Sequence, residues 1–190
     1  MMRIISGTFR GKKILQPQDK NTRPLKDLTK ESIFNLIEHS KKFNINLKNS
    51  VVFDLFSGVG SFGLECLSRE AKYVFFFENY IGVLPLLKKN LNNLKSKNNY
   101  KVIEKDIFKE ETFSNLNKKS KIIFLDPPYQ NKNIEKILNI IRNLDLLDKN
   151  GIIILHRHKK EIINLPKKYE IIDQRKYGIS KIIFLNYLYQ

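Results

Sequence analysis

Val51-Val52-Phe53-Asp54-Leu55-Phe56-Ser57-Gly58-Val59-Gly60-Ser61-Phe62-Gly63 is the stretch that decides the fold. Residues 51–56 form a compact apolar run without alternation, which reads as a strand buried on both faces. The run leads into Gly58, Gly60 and Gly63 in G-x-G-x-x-G spacing, and a helix is expected over 61–69. Glycines here permit a tight turn and a close approach of backbone to ligand. The loop falls at the carboxyl end of a strand, where open α/β sheets bind ligands.

Downstream, strand and helix alternate. A second strand is expected over 72–77 and a helix over 81–94, with Pro85 tolerated if the helix begins late. Strands at 100–105, 122–125 and 151–155 and a helix at 134–144 follow. Two β-prone runs, 169–176 and 179–189, meet at Tyr177-Gly178 and read as a closing hairpin. Apolar strands separated by helices imply a parallel sheet covered on both faces. The fold class is therefore α/β, and a final hairpin is how Rossmann-like class I methyltransferases end. A mostly parallel seven-stranded sheet ending in an antiparallel hairpin is expected.

Glu78 ends the second strand, twenty residues after Gly58. An acid there can accept hydrogen bonds from both ribose hydroxyls of a nucleoside. Asp106, at the end of the third strand, could hydrogen-bond an adenine amino group or simply cap the next segment. Such a site serves dinucleotides and S-adenosylmethionine alike.

Lys121-Ile122-Ile123-Phe124-Leu125-Asp126-Pro127-Pro128-Tyr129 narrows the reaction class. Two prolines fix φ and remove two backbone donors. An ionised Asp126 is also acceptor-only. The set suits an exocyclic amine, whose two N–H groups can donate to the Asp126 carboxylate and the Pro127 carbonyl. Orientation supplies much of the rate with so reactive a methyl donor. Contacts to the nitrogen should strengthen as positive charge develops on it. Tyr129 can stack on a base that has left its helix. A rigid strand-to-loop turn is the alternative for Pro-Pro in isolation.

The flanking sequence adds an RNA-facing part. Residues 2–6 and 11–15 read as a hairpin around Gly7-Thr8-Phe9-Arg10-Gly11, 16–24 as a loop, 25–39 as a helix with Leu28, Ile33, Phe34 and Ile37 inward, and 40–50 as a loop. Residues 1–50 hold eleven Lys or Arg against four Asp or Glu, within a net charge of +16 over 190 residues. Clustered cations displace counterions from phosphates. AT-rich codon use also favours Lys, Asn and Ile. A single domain is expected, with a basic extension over 1–40 and a cofactor-binding core over 50–190. Cys66 is alone, which excludes an internal disulfide, and no stretch reads as a membrane span or a secretory signal. A cytoplasmic protein is the default.

These motifs resemble the RsmD family of bacterial 16S rRNA (guanine-N2)-methyltransferases. The likeness rests on residues 54–63, Glu78, Asp106 and 126–129. It rests also on Met2-Arg3-Ile4-Ile5-Ser6-Gly7-Thr8-Phe9-Arg10-Gly11-Lys12-Lys13 and on Thr22-Arg23-Pro24-Leu25-Lys26-Asp27. It implies S-adenosylmethionine as cofactor, S-adenosylhomocysteine as product and no metal. The implied substrate is 16S rRNA within the small ribosomal subunit or its assembly intermediate, and a monomer is expected. The cofactor would be held by Asp54, Phe56, Ser57, Gly58, Gly60, Gly63, Glu78 and Asp106. Catalysis would fall to Asp126, Pro127, Pro128 and Tyr129. RNA phosphate would meet Arg3, Arg10, Lys12, Lys13 and Arg23. The chain departs from the family at Val59, where a small residue is common, and at His156-Arg157-His158, where an acid is common.

Other candidates rank lower. His39, His156 and His158 lack the spacing and companions of a zinc site. Residues 156–160 read as a basic rim, and Phe75-Phe76-Phe77 as core. Rival functions are a DNA adenine-N6 methyltransferase, a non-catalytic RNA-binding protein on the same fold, and a nicotinamide dehydrogenase. The chain leaves little room for the target-recognition domain of a DNA enzyme, and a dehydrogenase has no use for the acceptors at 126–128.

Overall fold

The computed structural model describes residues 2–17, 25–94, 99–128, 130–131 and 133–188. The strands are β1 (Val51–Asp54), β2 (Tyr73–Phe77), β3 (Tyr100–Ile103), β4 (Ser120–Leu125), β5 (Leu147–His158), β6 (Tyr169–Tyr177) and β7 (Ser180–Tyr187). They form one seven-stranded sheet in the order β3-β2-β1-β4-β5-β7-β6. Neighbours from β3 to β5 pair in parallel, and β7 inserts antiparallel between β5 and β6. The expected architecture is thus present. Tyr177 pairs with Ser180 and Gly178 has φ +57°, so a glycine stands at the first central position of a two-residue turn, as a II′ hairpin requires.

Successive strand residues point to opposite faces, and the two faces hold two cores. Even-numbered Val52, Val74, Phe76, Ile122, Phe124 and Ile154 pack toward α1 (Asp27–His39), α2 (Ser61–Ser68) and α3 (Leu84–Leu94). Odd-numbered Phe53, Phe75, Phe77, Ile123, Ile153 and Leu155 pack toward α4 (Ile134–Asn143). Helix α3 does begin late, which puts Pro85 in its first turn. Gly63 lets α2 lie directly on β2, because a Cβ there would come within 2.2 Å of the Phe76 ring.

Three expectations need correction. Helix α1 starts at Asp27 rather than at 25, because Lys26 is extended (φ −62°, ψ 142°). Leu28 is 71% exposed, and the buried positions are Thr29, Lys30, Ile33, Phe34 and Ile37. The fifth strand, expected over 151–155, runs from Leu147 to His158. Its extra length is paired on both edges, with β4 from Ser120↔Leu147 and with β7 as far as His158↔Ser180.

The buried face of α1 includes one charge. Lys30 is fully buried, and its ammonium donates to the Arg3 carbonyl (2.7 Å) and Ser61 Oγ (3.3 Å), 3.7 Å from Glu65. Burial pulls its pKa below the usual lysine range, opposed by Glu65 and Asp27. Glu65, also fully buried, accepts from the Ile5 N–H (2.8 Å), the Ser6 N–H (2.9 Å) and Arg69 Nε (3.0 Å). This hub bolts the N-terminal hairpin to α1 and α2. The hairpin itself is short, with the Ile4 N–H donating to Lys12 O and the Ile14 N–H to Met2 O. Gly7 sits at φ +82° against α2, where a Cβ would meet the Ser68 carbonyl at 2.0 Å.

Glu65→Ala should therefore cost about 3–5 kcal/mol, the usual penalty for stripping one partner from a buried charge. Urea unfolding would show it, and the Ile5 and Ser6 amides should lose protection from hydrogen exchange.

Candidate active site

Strand register assembles the site. Asp54 pairs with Phe76 on β2 and with Phe124 on β4, and Phe124 pairs with Ile154 on β5. These residues share a face. Two residues farther along each strand, the same face carries Glu78, Asp126 and His156. All three line one cleft of about 830 Å³ with Asp54, Phe56, Ser57 and Gly58. The α2 ring of Phe62 lies flat on Phe124, with centroids 4.0 Å apart, and closes the floor.

The glycines divide their labour. Gly58 (φ +53°) has nothing within 4 Å of where a Cβ would sit, so its backbone faces open cleft. Gly60 (φ +88°) makes room for α3, since a Cβ would lie 2.7 Å from Leu87 Cδ1. Gly63 serves α2 packing. Gly58 thus lines the cleft, while Gly60 and Gly63 hold its wall. Val59 is 5% exposed in the core, and its carbonyl accepts from Asn90 Nδ2.

The acids are held by backbone N–H groups. Glu78 accepts from Gly58 at 2.7 Å through one oxygen and from Asn79 and Tyr80 at 3.0 and 2.8 Å through the other. It is locked to the glycine loop and retains acceptor sites, because a carboxylate offers about four lone-pair positions. Asp106 accepts from the Phe108 N–H at 2.9 Å, the capping alternative, and also lines the cleft. Asp54 is 1% exposed and accepts from the Gly63 N–H at 3.0 Å. Burial pushes its pKa up to about 8, against the Gly63 hydrogen bond and with help from Asp126 and Glu78.

The basic rim expected over 156–160 is overturned at its first two residues. His156 is 6% exposed and Arg157 is fully buried, because β5 continues between β4 and β7 to His158. His156 meets Asp126 Oδ1 through Nδ1 at 2.8 Å. Arg157 points to the opposite face and donates through Nη1 to the Pro127 and Pro128 carbonyls at 3.1 Å each. Its Nη2 reaches Asn131 O at 3.0 Å, and Glu161 balances its charge. One lone pair of the Pro127 carbonyl is thus taken. Sequence reasoning missed both residues. The available signal was parity, since Ile152, Ile154 and His156 share one face.

The predicted RNA contacts separate. Arg3, Arg10, Lys12 and Lys13 are exposed on the hairpin. The Lys12 ammonium is tied to the Asn93 and Leu94 carbonyls at the end of α3 and lies over the Phe9 ring. Phe9 packs on the core. Arg23 and Tyr129 lie outside the described residues.

A nucleoside cofactor fits these groups. The open side of Gly58 admits close approach, Glu78 stands ready as an acceptor beside it, and Phe56 and Phe108 meet edge-to-face at 6.2 Å as an apolar wall.

The family model described as conserved hypothetical protein 95, the RsmD family, matches residues 2–186. The chain belongs to the RsmD family. One member, ribosomal RNA small subunit methyltransferase D of Buchnera aphidicola from Acyrthosiphon pisum, is 33% identical over 176 residues, 90% of this chain and 86% of that protein. The Escherichia coli K12 protein of the same name is 30% identical, over 75% of this chain and 67% of its own length. A solved Haemophilus influenzae structure described as a methylase has TM-score 0.76 and 29% identity, covering 99% of both chains. A structure described as a methyltransferase in complex with S-adenosylhomocysteine (SAH) has TM-score 0.63 at 15% identity, over 83% of this chain and 49% of its own, and shares the fold. The RsmD-family fold is thus that of class I methyltransferases.

The raised Asp54 pKa has a sign. Between its unfolded value of 3.8 and about 8, the folded state holds a proton that the unfolded state lacks. Its contribution to stability therefore falls as pH rises through that window and levels off above about 8. Thermal melts of the unliganded protein should show that slope, and Asp54→Asn should flatten it.

Proposed function

We propose that this chain transfers a methyl group from S-adenosylmethionine to the exocyclic N2 of a guanine in 16S rRNA, within the small ribosomal subunit or its assembly intermediate. The observation that carries the reading is that Asp126, followed by two prolines, opens into the same cleft as Gly58 and Glu78. The names of the RsmD-family relatives supply the RNA.

When bound, S-adenosylmethionine supplies a methyl group activated on a sulfonium. Glu78 would accept from its ribose hydroxyls, Asp106 from its adenine amine, and Phe56, Ser57 and Gly58 would line its path. Asp54, fastened to the Gly63 N–H, holds the start of α2 beneath the glycine loop. On the substrate side, Asp126 Oδ2 and the remaining lone pair of the Pro127 carbonyl would receive the two N–H groups of the target amine. Both acceptors strengthen as the nitrogen gains positive charge. Tyr129 would stack on the base. Residues 50–190 would form the cofactor-binding core and residues 1–40 the part that meets RNA, acting as a monomer.

Methyl transfer from radiolabelled cofactor to unmodified small subunits, naked 16S RNA and unmethylated DNA tests the reading. N2-methylguanosine is the expected labelled product. N6-methyladenine in DNA would replace the reading with the rival enzyme. Asp126→Ala should lower turnover by on the order of 10²–10³-fold with unchanged cofactor affinity. Arg10→Ala with Lys13→Ala, which spares the structural Lys12, should weaken substrate binding and flatten its log–log salt dependence by about 1.5. An unaltered slope would remove the hairpin from the RNA interface.

A further inference from the structure

We propose that His156 is a positioning residue for Asp126, held in place from its other ring nitrogen by Ser180. The proposal rests on the reading of Asp126 as the group that holds the target amine.

Asp126 follows the last residue of β4 into the cleft, with a side chain 18% exposed. The torsion that turns a carboxylate is broad and roughly two-fold, so the backbone and two following prolines leave the oxygens free to rotate. His156 removes that freedom. Its Nδ1 lies 2.8 Å from Asp126 Oδ1, and its Nε2 lies 2.9 Å from Ser180 Oγ. An ionised carboxylate only accepts, so Nδ1 carries the hydrogen. In the neutral ring Nε2 then accepts from the Ser180 hydroxyl, and the hydrogen bond at one ring nitrogen fixes the state of the other. Both supporting groups are buried, His156 at 6% and Ser180 at 5% exposure.

The sheet explains why they meet. His156 pairs with Ile182 on β7, and Ser180 lies two residues from Ile182 on the same face. Across the other edge, Leu155 pairs with Leu125, which brings Asp126 beside His156. One oxygen of Asp126 is thereby engaged from the protein side, and Oδ2 remains for the substrate. An acid at position 156 could not donate this hydrogen bond while ionised.

Two variants of similar size separate positioning from packing. His156→Asn puts an amide N–H near the place of Nδ1 and keeps the donor to Asp126, while giving up Ser180. His156→Gln reaches toward Ser180 and gives up Asp126. We expect His156→Asn to keep kcat within about threefold and His156→Gln to lose on the order of tenfold or more, the scale on which misplaced groups lose rate. KM for the cofactor should stay put in both, and their losses in Tm should match. Nitrogen-15 NMR of the unliganded protein should show His156 protonated at Nδ1, a readout independent of turnover. An Nε2-protonated ring, or equal kcat for the two variants, would overturn the proposal. Asp126→Ala in the same assay separates the failures. An active Asp126→Ala defeats the site reading itself, whereas an inactive Asp126→Ala beside a fully active His156→Gln defeats only the role of His156.

Discussion

A parallel strand packed on both faces cannot carry a polar side chain along its length without an internal partner. Its carboxyl end, where the covering helices have yet to begin, is the one place where charge meets water or ligand. Strands β1, β2, β4 and β5 obey this constraint together, and because their register is shared, their polar residues fall in rows. Asp54 stands in one row with Phe76, Phe124 and Ile154, and Glu78, Asp126 and His156 stand in the next. The site is therefore a product of strand pairing. A slip of one residue in any strand would turn its acid to the α4 face.

Much of this was legible in the residues. The 51–56 run, the glycine spacing and the Asp-Pro-Pro turn are local patterns with local causes, and each landed where its pattern put it, except that β1 ends at Asp54 and residues 55–56 already turn into the loop. The closing hairpin was equally readable, because Gly178 answers a requirement of turn geometry. What local pattern could not supply was partnership across the sheet. Residues 156–158 look like a solvated basic run because their charge resembles that of residues 159–160. Only the pairing of β5 with β7 shows that the strand continues and buries two of them. Leu28 failed for a different reason. At 3.6 residues per turn it stands on the side of α1 opposite Ile33 and Ile37, and Lys30 shares their buried face, with partners from α2 and the hairpin.

The Lys30–Glu65 hub ties the N-terminal hairpin to the cleft. Glu65 holds the backbone of the hairpin, while Lys30 bonds Ser61, the first residue of α2, which lines the cleft. Under the proposed reading, the hairpin that would meet RNA is thus fastened to the helix that begins at the glycine loop. Lys12 shows the same economy, with its ammonium spent on the end of α3. A basic residue in a basic segment can be structural, and the count of cations overstates the surface offered to phosphate.

Charge is distributed against the average of the chain. The protein carries +16, yet its cleft is floored by Asp54, Glu78 and Asp126, which sit close enough for two of them to raise the pKa of the third. Under the proposed reading the two signs serve two ligands. A cationic sulfonium favours the acidic floor, and a polyanionic strand is repelled by it and attracted to the basic hairpin. A nucleotide between these fields is driven to keep its phosphates outside and extend only its base inward, to where Asp126 waits as an acceptor.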